Sequence, residues 1–454
     1  MKKLFIFIFI FISIFLVIFF AVDQREKNYI SKLVTAAKAG DIDAALQLSE
    51  IYDTGTKDIK PDNEKYMYWL EEAANLGDAY AQGIAAMEYY KGELTEQDYD
   101  KAFHLATLAA GQGDDMGQDI LADCYRNARG TEQDIKKAIY WYNLAAGQDN
   151  PFAMESLGFV LSGDYEGVAD YKKAVIFLEK AAEYEMPDAI ARLGYLYYKG
   201  EGVVKDEKKA IEYFEQAAEL GDIYSMNFLG EIYYYGENDT PKNMELAFKY
   251  FSQAYEEGSD RNVNKLASMY EYGEGIAKDQ EKAADLYAWN AERGNSHAQS
   301  MLAYFYTIKN GPRRYDLITA LYWYEAAAAQ DNAYAMAEIA DIYLNSDLSE
   351  LPNKENLKPE ELKLYYEKEA LNFLTPAVEK ENAFALYLLG NMYYEGLGGL
   401  EKDYKKAASL FEKSAGLENS YAQKKLAQMY ESGTGVKQDK DKALYWYKKY
   451  TEEN

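Results

Sequence analysis

Between Asp188 and Gly221 the chain reads DAIARLGYLYYKGEGVVKDEKKAIEYFEQAAELG, and its apolar positions follow helical spacing. Ala189, Leu193 and Tyr197 stand at i, i+4 and i+8, one stripe of a first helix. Gly200 and Gly202 then interrupt the pattern, because glycine favours turns and weakens a helix interior. Ala210, Tyr213, Phe214, Ala217 and Ala218 mark the broader apolar face of a second helix, and Gly221 closes it as a C-terminal cap. The unit is a helix–turn–helix hairpin, too small to fold alone.

The chain repeats this hairpin. With Ala189 as a ruler, its equivalents are Ala44, Ala81, Gly117, Ala153, Ser225, Asn262, Ala298, Ala335, Ala385 and Ala422. Successive positions lie 36 or 37 residues apart, except for 50 between Ala335 and Ala385. The second helix keeps step, with Trp69, Trp141, Tyr213, Tyr250, Trp323, Phe373 and Trp446 in one slot. A period of this length sustained along the chain predicts a solenoid, in which each hairpin buries its apolar faces against its neighbours.

The pattern A-xxx-LG-xx-Y-xx-G-x-GV-xx-D-xx-KA-xx-YF-xx-AA-xx-G, from Ala189 to Gly221, resembles the Sel-one-like repeat (SLR) family, relatives of the tetratricopeptide repeats. The likeness covers roughly residues 41 to 450. It is close around Gly273-Glu274-Gly275 and Gly433-Thr434-Gly435, and looser where Arg129-Gly130 or Ser162-Gly163 stand at the turn. The resemblance implies an all-α, right-handed α/α superhelical solenoid serving as a scaffold for other proteins, without chemistry of its own. About eleven repeats are expected over 41–454, preceded by a capping helix at 23–40 that covers the open end of the first repeat. The extra length of the ninth repeat falls in 345–359, a polar stretch with two prolines that reads as a surface loop, a partner contact or a hinge. Pro376, inside the following second helix, is expected to kink it.

The amino terminus breaks from the repeat pattern. After Lys2 and Lys3, every residue from Leu4 to Val22 except Ser13 is apolar. Such a run, at about 1.5 Å per residue, is long enough to cross a bilayer. Residues 1–22 read as a signal anchor or a cleaved signal peptide, with membrane contact through residues 4–22. The lysines, held inside, place the repeats across a bacterial-type inner membrane, in the periplasm, or outside the cell if the segment is removed.

Little in the chain points to chemistry. The only histidines are His104 and His297, neither at metal-ligand spacing from a cysteine or a second histidine, and the sole cysteine, Cys124, reads as a small core residue. The recurrent G-x-G turns do not follow strands and so are not phosphate loops. No catalytic residue, cofactor or metal site is assigned. With 49 basic against 76 acidic residues, the net charge of −27 argues against nucleic acid as a partner and would attract a basic protein or peptide.

Tyrosine is the one excess. A buried first-helix tyrosine per repeat accounts for about a quarter of the 45. The second tyrosine of each doublet, Tyr90, Tyr198, Tyr234 and Tyr394, lies about 100° around the helix from the core position and is the candidate partner-binding residue. Packing between hairpins is the other reading of the same four. The leading expectation is a non-enzymatic interaction scaffold. An envelope enzyme or glycan-binding factor acting on cell-wall material, and an immunity protein that clamps a toxin, are the alternatives.

Overall fold

Helix starts recur in pairs, one in front of each helix of a hairpin. Asp41, Asp78, Asp114 and Asn150 each accept a backbone N–H three residues on at the start of a first helix, as Asp62, Asp98, Asp134 and Asp170 do for second helices. Such caps satisfy amides that the helix leaves unpaired, each worth about 1 kcal/mol.

The structure, a computed structural model, describes residues 27–57, 59–163, 165, 167–236, 240–352 and 357–452. The chain divides into two compact units, Met1–Ser225 and Met226–Asn454. In the first, α1 spans 27–38 and is followed by α2 (Ile42–Thr54), α3 (Asn63–Asn75), α4 (Ala79–Lys91), α5 (Tyr99–Gly111) and α6 (Asp115–Asn127). The series continues with α7 (Ile135–Ala146), α8 (Pro151–Leu161), α9 (Tyr171–Ala182), α10 (Pro187–Lys199) and α11 (Glu207–Glu219). The second unit holds most of α12 (Ile223–Tyr235), then α13 (Met244–Glu256), α14 (Val263–Tyr272), α15 (Gln280–Glu292), α16 (Ser296–Thr307) and α17 (Leu317–Ala328). It ends with α18 (Ala333–Asn345), α19 (Pro359–Glu379), α20 (Ala383–Glu395), α21 (Tyr404–Gly416), α22 (Ser420–Ser432) and α23 (Lys440–Glu452). Among the described residues there is no strand, and the chain is an all-α solenoid of α/α hairpins.

Even-numbered helices are the first helices of hairpins and odd-numbered ones the second. Within the first unit, α4 packs on α5 and on α6, and α8 on α9 and on α10; within the second, α18 packs on α19 and on α20. The ruler positions lie in these contacts: Ala81, Ala153, Ala189, Ala335 and Ala385 are fully buried, as are the alanines Ala109, Ala145, Ala181 and Ala217 of the second helices. Helix α1 contributes Leu33 and Ala37 to the same cluster as Leu48 and Trp69. Cys124 is fully buried in α6, and burial pushes its thiol up to about 12.

Two devices recur within hairpins. The core tyrosine of the first helix is closed by a lysine from the first turn of the second. Lys101, Lys209 and Lys406 each set their ammonium 4.1 Å from the ring centroids of Tyr89, Tyr197 and Tyr393 and 2.7 Å from the hydroxyls. The other device is a glycine that lets the helices approach: a Cβ at Gly390 would lie 2.6 Å from Phe411. Second helices end on a left-handed residue, Gly221 at φ 93°, but Glu185 and Glu381 take the same role at φ 56°.

The ninth hairpin absorbs its extra length in two ways. A short 3₁₀ turn at Leu348–Glu350 precedes Leu351, which is buried, and Tyr366 donates its hydroxyl to the Pro352 carbonyl. The rest lengthens α19 to 21 residues, and the helix runs on through Pro376. Residues 353–356 of the insertion lie outside the description.

One expectation is overturned. Among the described residues no helix is long and apolar enough to cross a membrane. The longest, α19, has the length but carries Glu360, Glu361, Lys363, Glu367, Lys368 and Glu369. The single-pass inner-membrane placement, with its periplasmic or secreted repeats, is therefore withdrawn; the run 4–22 on which it rested lies outside the described residues.

Candidate functional site

The four doublet tyrosines each sit against the second helix of their own hairpin or the lysines beside it. Tyr90 is only 8% exposed, accepts a hydrogen bond from Asn127 Nδ2 at 2.8 Å, and meets Tyr99 of α5 edge-on at 5.7 Å. The Arg129 guanidinium covers both rings at 4.8 Å. Tyr198 is half-buried, with Lys199 and Lys205 at 5.5 and 5.7 Å from its ring. In the second unit, Tyr234 lies 6.0 Å from Phe251 of α13, and Tyr394 meets Tyr404 of α21 edge-on at 5.0 Å with Lys425 at 4.7 Å. In each unit these tyrosines pack within their own hairpin and, at Tyr90 and Tyr394, also against side chains of the next one.

A different set of aromatics is exposed. Counted from the ruler residue, these lie one before it (Tyr80, Phe152, Tyr224, Tyr334, Tyr421), six after (Tyr304) and ten after (Tyr235, Tyr272). At 100° per residue, those offsets fall within about 40° of one another on the helix. The doublet position, nine after the ruler, lies about 60–100° away, turned towards the second helix. Tyr80 is 61% exposed and Tyr272 64%. The signal for this face was in the sequence, as aromatics recurring immediately before the ruler residue.

Two grooves open on this face in the first unit. One, of about 550 Å³, lies between α2 and α4 and is lined by Asp43, Glu50, Asp53, Leu46, Tyr80 and Ile84 among others. The second, of about 260 Å³, lies between α8, α10 and the start of α12; its walls are Phe159, Ala191, Tyr195 and Tyr224, with Asp188, Asp222 and Arg192. Arg192 is tied to the end of α8. Its Nε donates to Ser162 Oγ at 2.9 Å and its terminal nitrogen to the Ser162 carbonyl, while its plane lies over Phe159 and Tyr195.

Carboxyl groups crowd beside the second groove. The N-cap of α10, Met186, offers no side-chain acceptor, and the nearby Ala189 N–H favours the ionised form of the Glu155 carboxyl of α8. Burial, and then the Asp188 carboxylate, push the Glu155 carboxyl up to about 7. Asp188 is itself held above the usual carboxylate range by burial and by Asp222. Behind Glu155, burial and the Asp123 charge push Asp119 well up. In the second unit Glu338 is likewise raised to about 7 by burial and Asp341.

Among the described residues no cluster could hold a metal ion. His104 and His297 are both exposed, and His297 meets the Tyr287 ring edge-on at 6.2 Å.

Comparison with known proteins gives the geometry a context. The family model described as the Sel1 repeat matches residues 42–78, 79–114, 116–150, 151–183, 187–222, 223–259, 263–288, 296–332, 383–419 and 420–452. The hairpin of α18 and α19 falls outside these segments. The crystal structure of a protective antigen of uropathogenic Escherichia coli strains, displaying an SLR fold, superposes with a TM-score of 0.73. It is 29% identical, and the match covers 93% of this chain and 86% of that one. Two curated proteins are also similar. Chitin synthase regulatory factor 3 of Schizosaccharomyces pombe is 33% identical over 127 residues, 25% of this chain and 13% of that protein. The ERAD-associated E3 ubiquitin-protein ligase component HRD3 of Candida glabrata is 32% identical over 135 residues, 30% and 15% respectively. The chain thus spans well under a fifth of the length of either curated relative.

Proposed function

The chain belongs to the Sel1 repeat family, whose members serve in protein–protein interaction, and we propose that it is a non-enzymatic adaptor binding partners along the exposed face of its first helices. The observation that carries this reading is the recurrence of exposed aromatics at one register of the first helices in both units. Solvent-facing tyrosines cost little entropy to immobilise and are frequent anchors of protein interfaces. A monomer that exposed them without a partner would gain nothing in stability from them. The surplus of acid, −27 overall, favours a partner with a basic surface and speeds its approach.

The test compares two sets of variants in crosslinking capture from native cells with the full chain as bait. Tyr80→Ala, Phe152→Ala and Tyr224→Ala together should release a partner that the wild-type protein retains. Phenylalanine at Tyr90, Tyr198, Tyr234 and Tyr394 keeps the rings that pack and should leave capture unchanged. A partner lost only from the second set would place the interface at the doublets and overturn the assignment of the face.

A further inference from the structure

We propose that the groove between α8, α10 and α12 seats a lysine or arginine side chain from a peptide segment of the partner, its charged head between Asp188 and Asp222 and its stem against Phe159, Tyr195 and Tyr224. The proposal rests on the adaptor reading and names what one part of that face recognises.

Size and chemistry agree on such an occupant. At about 260 Å³ the groove is smaller than the roughly 300–1,000 Å³ typical of sites for whole small molecules, and suits one side chain. Three of its seven lining residues are aromatic, which fits an alkyl stem laid against them. Asp188 and Asp222 come from successive first helices and repel one another. Among the described residues neither makes an ion pair; Asp222 accepts only the Ser225 N–H, at 2.6 Å. The groove's own cation does not fill the gap, because Arg192 is bound to Ser162. An ammonium or guanidinium between the two carboxylates would relieve their repulsion and replace the missing counter-charge.

Binding should also move a proton. Glu155 stands beside Asp188, facing Asp188 from α10 and, from α6, Arg126 and Asp119, with Asp115 and Asp123 near Asp119. Its carboxyl, raised to about 7, is partly protonated at neutral pH. A cation arriving at Asp188 favours the ionised form, so the complex releases protons and binds more tightly at pH 8 than at pH 6.

The experiment is titration calorimetry of the full chain with two synthetic peptides, acetyl-Leu-Lys-Leu-Arg-Leu-amide and acetyl-Leu-Gln-Leu-Gln-Leu-amide, in phosphate and in Tris. The basic peptide should bind at least about tenfold more tightly than the neutral one, the weight of one close charge pair. Its heat should differ between the buffers by the proton released. Asp188→Asn and Asp222→Asn, the latter keeping a capping side chain, should each weaken it about tenfold. Thermal melts of both variants check that the fold is intact. Equal affinity for the two peptides, no binding of the basic one, or indifference to both substitutions overturns the proposal. In that event, a partner still lost on substituting Tyr80, Phe152 and Tyr224 leaves the adaptor reading standing; if that set loses nothing, the adaptor reading falls too.

Discussion

Gly390 gives the sharpest test of how the hairpins are packed. It is buried in α20 directly under Phe411 of α21, a ring with no exposure. A Cβ at 390 would lie 2.6 Å from Phe411 Cε1 and 2.8 Å from Cδ1, so the ring must move by most of an ångström to reach ordinary contact. The ring has little room to do so, being fully buried with the Tyr387 ring 5.9 Å from it. Overpacking of this kind costs about 1–3 kcal/mol, against about 1 kcal/mol gained when alanine replaces glycine inside a helix. Gly390→Ala should therefore destabilise by up to about 2 kcal/mol. With Phe411→Ala, itself costing about 3–5 kcal/mol, the obstruction is gone and the same change should stabilise by about 1 kcal/mol. Urea unfolding of the four proteins of the cycle measures this as a coupling of about 1–3 kcal/mol with a reversal of sign. Additive effects, or a stabilising Gly390→Ala in the wild-type background, would falsify the close approach of α20 and α21.

Other consequences can be checked separately. Glu381 holds φ 56° at the end of α19, where several other second helices end on glycine; Glu381→Gly should raise stability by about 1 kcal/mol, read as a higher melting temperature. Glu155, raised from 4.5 to about 7, binds its proton more tightly folded than unfolded. Its contribution is therefore full below about pH 4.5 and lost as pH rises through about 7. Glu155→Gln keeps the size and a polar head without the charge and should stabilise by about 1–2 kcal/mol at pH 8, after allowing for solvent screening, yet change nothing favourable at pH 4. A melting profile parallel to wild type across that range would contradict the assignment. Cys124, fully buried and with its thiol pushed up to about 12, should react with a maleimide only in denaturant; prompt labelling of the native protein would show that α6 opens locally.

Much of the fold was legible in the chain because its signals are local. The period set by Ala44, Ala81 and their successors, the glycines at Gly200 and Gly202, and the alanine pairs each belong to one hairpin, and a solenoid repeats that hairpin. The ninth repeat shows where this stops. The spacing of 50 announced an insertion, but only packing decided that part of it lengthens α19 and part anchors Leu351 and Pro352 beside Tyr366. Likewise, Met186 in place of an aspartate or asparagine shows that α10 lacks its usual cap, whereas the Glu155 carboxyl that feels the Ala189 N–H comes from the preceding repeat and needs the fold to bring it there.

The doublet tyrosines and the exposed aromatics are separated for a geometric reason. Spacing along a helix gives the angle between side chains, so Tyr90, Tyr198, Tyr234 and Tyr394 are correctly displaced from the core stripe. Every stripe has two flanks, however, and periodicity treats them alike. Which flank is covered depends on the second helix and the next hairpin: Tyr99, Phe251 and Tyr404 close the flank with the doublets, and Tyr80, Phe152 and Tyr224 are left on the open one. The sequence by itself determined the repeat, its helices and their buried stripe, since these depend on local spacing and burial. The tertiary structure alone decided which side of that stripe meets solvent, because that depends on what stacks against it.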